Sequence, residues 1–270
     1  MTKSVGVLGC GWLGLPLAKN LVGQGYSVKG TTTSKNKLEI LRNAGIVPYQ
    51  VSLSEENIRG PISDFLKNLH VLIINVPPGF RGKGPKESYV KKMGLLHKAT
   101  KQSPIEKVIF VSSTSVYGDI KGEVNEETTP KPVTESGKQL LDCERLFKED
   151  ENLQCTIIRF GGLIGPDRHP VTMLSGKKNV KGGNAPVNLI HLNDCINLIS
   201  TIIKGEQWNQ IINGVFPDHP LKKDYYTEEA KKRGLAPPQY KDDEGESDKK
   251  IDTCKLFLIK NKVLFTPIRS

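Results

Sequence analysis

No apolar run in the 270-residue chain approaches the ~18–20 residues that a membrane span requires. The start, Met1-Thr2-Lys3-Ser4-Val5-Gly6-Val7-Leu8-Gly9, runs straight into a glycine-punctuated strand pattern. It lacks the apolar stretch and small-residue cleavage site of a secretory leader. Cysteine is scarce. Cys10, Cys143, Cys155, Cys195 and Cys254 are odd in number, widely spread and never paired as C-x-x-C, which argues against a disulfide framework and against a zinc site. Internal repeats and low-complexity linkers are also missing. These absences lead us to expect a cytoplasmic globular protein with reduced thiols and no metal. A chain of this length buries roughly three quarters of its unfolded surface without a staple.

Acidic residues are outnumbered, 29 against 39 Lys and Arg, which leaves a net charge of +10. The excess is patchy. Lys83, Lys86, Lys91, Lys92, Lys98, Lys101 and Lys107 crowd one segment, whereas Asp119 to Glu151 carries ten acidic and five basic residues. From Arg168 to Asn193 there is no acid, only Arg168, Lys177, Lys178 and Lys181. No recognition-helix or ribonucleoprotein signature accompanies the basic stretches. We therefore read a solvated Lys-rich face plus a site for an anionic small molecule, without a nucleic-acid or membrane partner.

Short β-rich runs alternate with helical patterns over the first 160 residues, the mark of βαβ units and a parallel sheet. Strands are expected at Ser4–Leu8, Tyr26–Thr31, Ile46–Val51, His70–Val76, Lys107–Ser112 and Cys155–Phe160. Continuous apolar runs such as Val71-Leu72-Ile73-Ile74 read as strands covered on both faces. Four helical stripes lie between or after them: Leu13/Leu17/Leu21/Val22, Tyr89/Val90/Met93/Leu96/Thr100, Leu140/Cys143/Glu144/Phe147 and Leu192/Cys195/Ile196/Ile199/Ile202/Ile203. After Phe160, Gly, Pro and Asn cluster as far as Asn188. Strands at Val187–Ile190 and Ile211–Phe216 and a polar helix near Leu221–Arg233 follow, and the charged Asp242–Lys250 run reads as exposed. The expected organisation is a dinucleotide-binding domain over residues 1–160 and a small irregular substrate lobe over 161–270, with the helix of 191–205 packing back on the sheet.

The domain's name rests on Gly9-Cys10-Gly11-Trp12-Leu13-Gly14, a G-x-G-x-x-G directly after a strand and opening a helix. The first glycine permits a tight turn, the second lets backbone approach a pyrophosphate, and the third lets helix pack on strand. Free N–H groups and the positive dipole end of the helix then face the anion. An α/β Rossmann fold, a doubly wound parallel sheet, follows, with Gly9, Gly11, Trp12, Leu13 and Gly14 as cofactor-binding residues. Cys10 is read as packing rather than as a reactive thiol. A ribose 2′-hydroxyl is usually held by Asp or Glu about 20 residues past the glycines. Here the second strand ends Thr31-Thr32-Thr33-Ser34-Lys35-Asn36-Lys37, with no acid before Glu39. Hydroxyls and lysines suit a 2′-phosphate, so NADP is favoured over NAD, with Thr32, Ser34 and Lys35 as its adenosine-end contacts.

Val111-Ser112-Ser113-Thr114-Ser115-Val116-Tyr117-Gly118-Asp119 follows the fifth strand, Ile157 to Pro166 spells IIRFGGLIGP, and Asn188 to Asp194 spells NLIHLND. Together with the glycine loop, these segments resemble the extended short-chain dehydrogenases/reductases, the NAD(P)-dependent epimerases and dehydratases. The resemblance implies that Ser113 bonds the reacting substrate oxygen. It also implies that Val76, Pro77 and Pro78 line the middle of the cofactor, with Ser112, Phe160 and Gly161 beside it. The family's Tyr-x-x-x-Lys pair, in which the tyrosine moves the proton while nicotinamide moves the hydride, falls here on Ser136 and Leu140. Lys138 is two positions off, about 200° round the helix. This departure resembles the superfamily's atypical branch. Tyr117 is the nearest remaining phenol and a candidate substitute acid/base. His191 is read as structural, Asp194 as capping or supporting the helix that begins there, and Arg159 as needing an acidic partner. Three readings stay open: an NADP-dependent epimerase- or oxidoreductase-like enzyme on an anionic, nucleotide-linked or sugar-like molecule; a non-catalytic NADP-binding redox sensor; and an interaction module. Apolar helix faces permit a homodimer.

Overall fold

The computed structural model describes residues 3–79, 87–241, 248–253 and 266–268. Cys254, Lys83, Lys86 and residues 242–247 of the charged run lie outside the described residues.

Seven parallel strands make the central sheet: β1 (Ser4–Leu8), β2 (Ser27–Thr32), β3 (Val47–Gln50), β4 (Val71–Ile74), β5 (Lys107–Ser113), β6 (Gln154–Phe160) and β7 (Ile211–Gly214). They lie in the order β7-β6-β5-β4-β1-β2-β3, and every pairing is parallel. The order reverses between β1 and β4, and open α/β sheets bind ligands at the carboxyl ends of the strands beside such a point.

Alternation along each strand sorts the core into two layers. Val5, Val7, Ile73, Ile109 and Ile158 pack with Leu17 and Leu21 of α1 (Gly14–Gly23) and with Ile199 and Ile202 of α7 (Leu192–Lys204). Leu8, Leu72, Ile74, Phe110 and Ile157 face the other way, onto Phe65 of α3 (Ile62–Leu66), Met93 and Leu96 of α4 (Tyr89–Lys101) and Phe147 of α5 (Glu135–Lys148). The expected stripes are thus the buried faces of α1, α4, α5 and α7. A short α2 (Lys37–Asn43) joins β2 to β3.

Beyond Phe160 the chain builds a smaller core of Ile164, Val171, Val187, Leu189, Tyr225 and Tyr226. A two-stranded parallel ladder, Gly162–Ile164 with Leu189–His191, runs beside α6 (Pro170–Leu174) and α8 (Lys222–Lys232). This half also contributes α7 and the edge strand β7 to the central layers, because Ile211–Gly214 hydrogen-bonds to β6. Short elements escape the periodicity argument, among them α3 and a hairpin of Ser52–Leu53 with Ile58–Arg59. Among the described residues no helix is long and apolar enough to cross a membrane, and no cluster of side chains could hold a metal.

Candidate functional site

The glycine loop is fixed from both neighbouring strands. Gly9 donates its N–H to Thr31 Oγ1 at the end of β2 (2.9 Å), and the Asn75 amide after β4 donates back to the Gly9 carbonyl (3.0 Å). The three glycines answer to different constraints. Gly9 has φ +99°, and a Cβ there would sit 2.6 Å from the Asn75 carbonyl oxygen. At Gly14 a Cβ would lie 2.1 Å from the Gly9 carbonyl oxygen, the price of helix packed on turn. Gly11 is exposed, has no left-handed φ, and a Cβ there would meet nothing within 4 Å. Nothing among the described residues requires glycine at position 11. The open space in front of it is what a bound diphosphate would fill, so the loop fits a dinucleotide. No side chain caps the start of α1 and its first turn holds no acid, which leaves the helix end free for an anion.

A cleft of about 600 Å³ opens at this end of the sheet. Gly9 to Leu13 supply one wall, Thr31 to Thr33 with Lys37 the β2 end, and Asn75 to Gly79 the centre. Ser112, Ser113 and Leu140 close the β5 end, with Leu163 and Arg168 reaching in from the smaller core. The topology therefore gathers Gly9, Gly11, Trp12, Leu13, Thr32, Val76, Pro77, Pro78, Ser112 and Ser113 around one cleft. Among the described residues its lining contains no aspartate or glutamate and three cations, Lys37, Lys92 and Arg168. Lys92 is paired with Glu87 at 2.6 Å.

Other expected residues lie elsewhere. Gly14 is buried beneath the turn it supports. Ser34 and Lys35 stand outside the lining, and Lys37, two residues on, takes their place. Phe160 is 2% exposed and packs in the α1/α7 layer, where it fills the space left by Gly214; neither it nor Gly161 reaches the cleft. Tyr117 is fully buried. Its hydroxyl donates to Asn213 Oδ1 (2.9 Å) and accepts from Arg159 Nη1 (2.9 Å), and burial raises its pKa, so this phenol is a structural group away from the cleft. Arg159 finds its acid in Glu144 (2.6 Å), and Glu144 also accepts from Ser112 Oγ (2.5 Å), tying α5, β6 and the cleft edge into one buried network. Ser113 lines the cleft while its Oγ accepts from the Ser115 N–H (3.2 Å).

Cys10 is buried and its thiol is pushed up to about 12, which makes it packing. His191 caps α7 through the Asn193 N–H. Asp194 does not cap that helix; its carboxylate accepts from the N–H and hydroxyl of Thr266 instead. The exposed Lys177, Lys178 and Lys181 are not part of the lining. Sequence reasoning had Lys37 among the lysines for a 2′-phosphate but missed Asn75, Lys92 and Leu163. Asn75 had a signal available, a polar residue directly after a four-residue apolar run that ends beside the glycine loop.

Residues 9–190 match the model of a family described as NAD(P)H-binding. The chain belongs to the NAD(P)H-binding family. It is 35% identical over 240 residues to protein YeeZ of Escherichia coli, which spans 88% of this chain and 87% of that protein. Among solved structures, the UDP-glucuronic acid 4-epimerase of Bacillus cereus in complex with UDP-glucuronic acid and NAD superposes with a TM-score of 0.79 at 20% identity. That match covers 99% of this chain and 95% of the epimerase. MoeE5 in complex with UDP-glucose and NAD also gives 0.79 at 20% identity, covering 98% and 95% of the two chains. The fold is that of the NAD-dependent epimerases and dehydratases, as the sequence motifs imply.

Proposed function

We propose that the protein binds NADP in this cleft and uses it for redox chemistry on an anionic, nucleotide-linked or sugar-like small molecule. The observation that carries this reading is the lining itself, three cations and, among the described residues, no carboxylate around an unobstructed Gly11. A dinucleotide brings at least two phosphate charges, and a 2′-phosphate adds to them. Thr31, Thr32, Thr33 and Lys37 at the β2 end offer hydroxyls and a cation where an NAD site would present an acid. Gly9 to Leu13 and the start of α1 would hold the diphosphate, and Val76 to Pro78 would flank the middle of the molecule. The nicotinamide ring, when bound, supplies hydride transfer. Ser113 then orients the substrate oxygen. The resemblance puts the family's acid/base pair at Ser136, in the first turn of α5, and at Leu140, buried on the cleft wall; Lys138 is exposed. The UDP-sugar complexes of the structural neighbours support a nucleotide-linked substrate. Four buried free cysteines support a reducing, cytoplasmic setting.

A specific observation favours a second reading, a non-catalytic redox sensor: among the described residues the lining holds no His, Tyr, Asp or Glu to move a proton near neutrality. Turnover decides between them. The test incubates NADPH-loaded protein with nucleotide-sugars and small carbonyls and follows the nicotinamide absorbance. The enzyme reading predicts a change that Ser113→Ala reduces roughly tenfold or more, with NADPH affinity kept within about threefold. Tight NADPH binding with no absorbance change supports the sensor.

A further inference from the structure

The residue after Gly11 reaches across the cleft. The Trp12 indole N–H donates to Asp167 Oδ1 (2.8 Å), and the Arg168 guanidinium lies over the Trp12 ring, 4.9 Å from its centroid. Gly165, in the same turn, leaves the space that the indole edge occupies; a Cβ there would sit 2.8 Å from Trp12 Cζ2. Asp167, the nearest carboxylate in sequence, is engaged by the indole, and among the described residues Arg168 has no ion-pair partner. It is a guanidinium with fixed donor geometry, placed over an aromatic ring, on the wall of a cleft that has no acid among its described residues.

We propose that Arg168 is a cross-cleft clamp on the diphosphate of the bound dinucleotide, with Trp12 as its platform and Asp167 as the strut that holds the platform in place. This rests on the dinucleotide reading above. Planar donors match phosphate oxygens in pairs, and stacking spends part of the side chain's rotamer freedom before the ligand arrives. The smaller core thereby contributes a direct contact to a cofactor otherwise held by the sheet.

NADPH titrations of wild type and Arg168→Gln, at low and at physiological ionic strength, test the clamp. The expected result is at least roughly tenfold weaker binding in the variant, with a shallower salt dependence because one charge contact is gone. Asp167→Asn should weaken binding less, through a looser platform. Adenosine 2′-monophosphate, which has no diphosphate, should bind wild type and Arg168→Gln equally. That control separates a lost phosphate contact from a damaged fold. NADPH affinity within twofold of wild type and the same salt dependence in Arg168→Gln would overturn the clamp while leaving the dinucleotide reading intact. Equal losses for NADPH and the monophosphate would also overturn it. If wild type binds neither NADPH nor NADH, both proposals fall together.

Discussion

His169 is 5% exposed in the smaller core, and its Nδ1 accepts from the Val171 N–H (3.2 Å). The ring proton is therefore assigned to Nε2, which donates to the Tyr225 hydroxyl (2.9 Å), and that hydroxyl donates to the Ile268 carbonyl (3.0 Å). Burial, with Arg233 nearby, lowers the imidazole pKa to about 4. An unfolded histidine titrates near 6.5, so the native state binds fewer protons between these values. The neutral ring carries no titration penalty above about pH 6.5. Stability then drains as pH falls from there through about 4, by at most about 3 kcal/mol. Thermal melts across this window should show a steeper fall for wild type than for His169→Gln; parallel curves would show that another group governs acid sensitivity. Single residues are also where sequence reasoning ran short. Tyr117 reads as a free phenol until its partners, 42 and 96 residues away, are brought to it. Lys35 and Lys37 differ in role only through the geometry by which the chain leaves β2, which no composition argument resolves.

Most elements were legible, for a reason visible in the core. Strands covered on both faces need continuous apolar runs, and β4 and β5 are spelled that way. The hairpin at Ser52–Leu53 and Ile58–Arg59 has two residues per strand, too few to establish a period. Phe160 was expected beside the cofactor because it ends a sheet strand at the carboxyl edge. The two-residue alternation of β6 instead turns it onto the same layer as Ile158. The buried pair Arg159–Glu144 joins β6 to α5 and is 3–4% exposed. Removing the carboxylate leaves a cation in the core without its counter-charge, which costs about 3–5 kcal/mol. Urea unfolding of Glu144→Gln should report a loss of that order, accompanied by a disturbed cleft edge, since Ser112 shares the same carboxylate. A loss below about 1 kcal/mol would mean that water reaches the pair, contrary to its burial.

At the scale of the molecule, the charge of +10 resolves into two parts. Lys91, Lys98 and Lys101 lie on α4 and Lys177, Lys178 and Lys181 on the smaller half, all outside the cleft lining, whereas Lys37 and Arg168 stand in the lining, beside a Lys92 that Glu87 offsets. The glycine loop, the uncapped end of α1 and a lining without acids among the described residues are what the proposed polyanionic ligand would meet, and the smaller half reaches the same cleft through Asp167 and Arg168, both in contact with Trp12 of the glycine loop. The fold was readable from motif order along the chain. The acid-free character of the cleft was not, because its lining is drawn from separated segments between Leu8 and Arg168. The most direct test is a fluorescence titration of the purified protein with NADPH and with NADH, repeated on Gly11→Val. We predict saturable NADPH binding at least about tenfold tighter than NADH, abolished when a branched side chain fills the open space at residue 11. NADH binding tenfold tighter than NADPH would contradict the cofactor assignment, and undiminished binding by Gly11→Val would contradict the site.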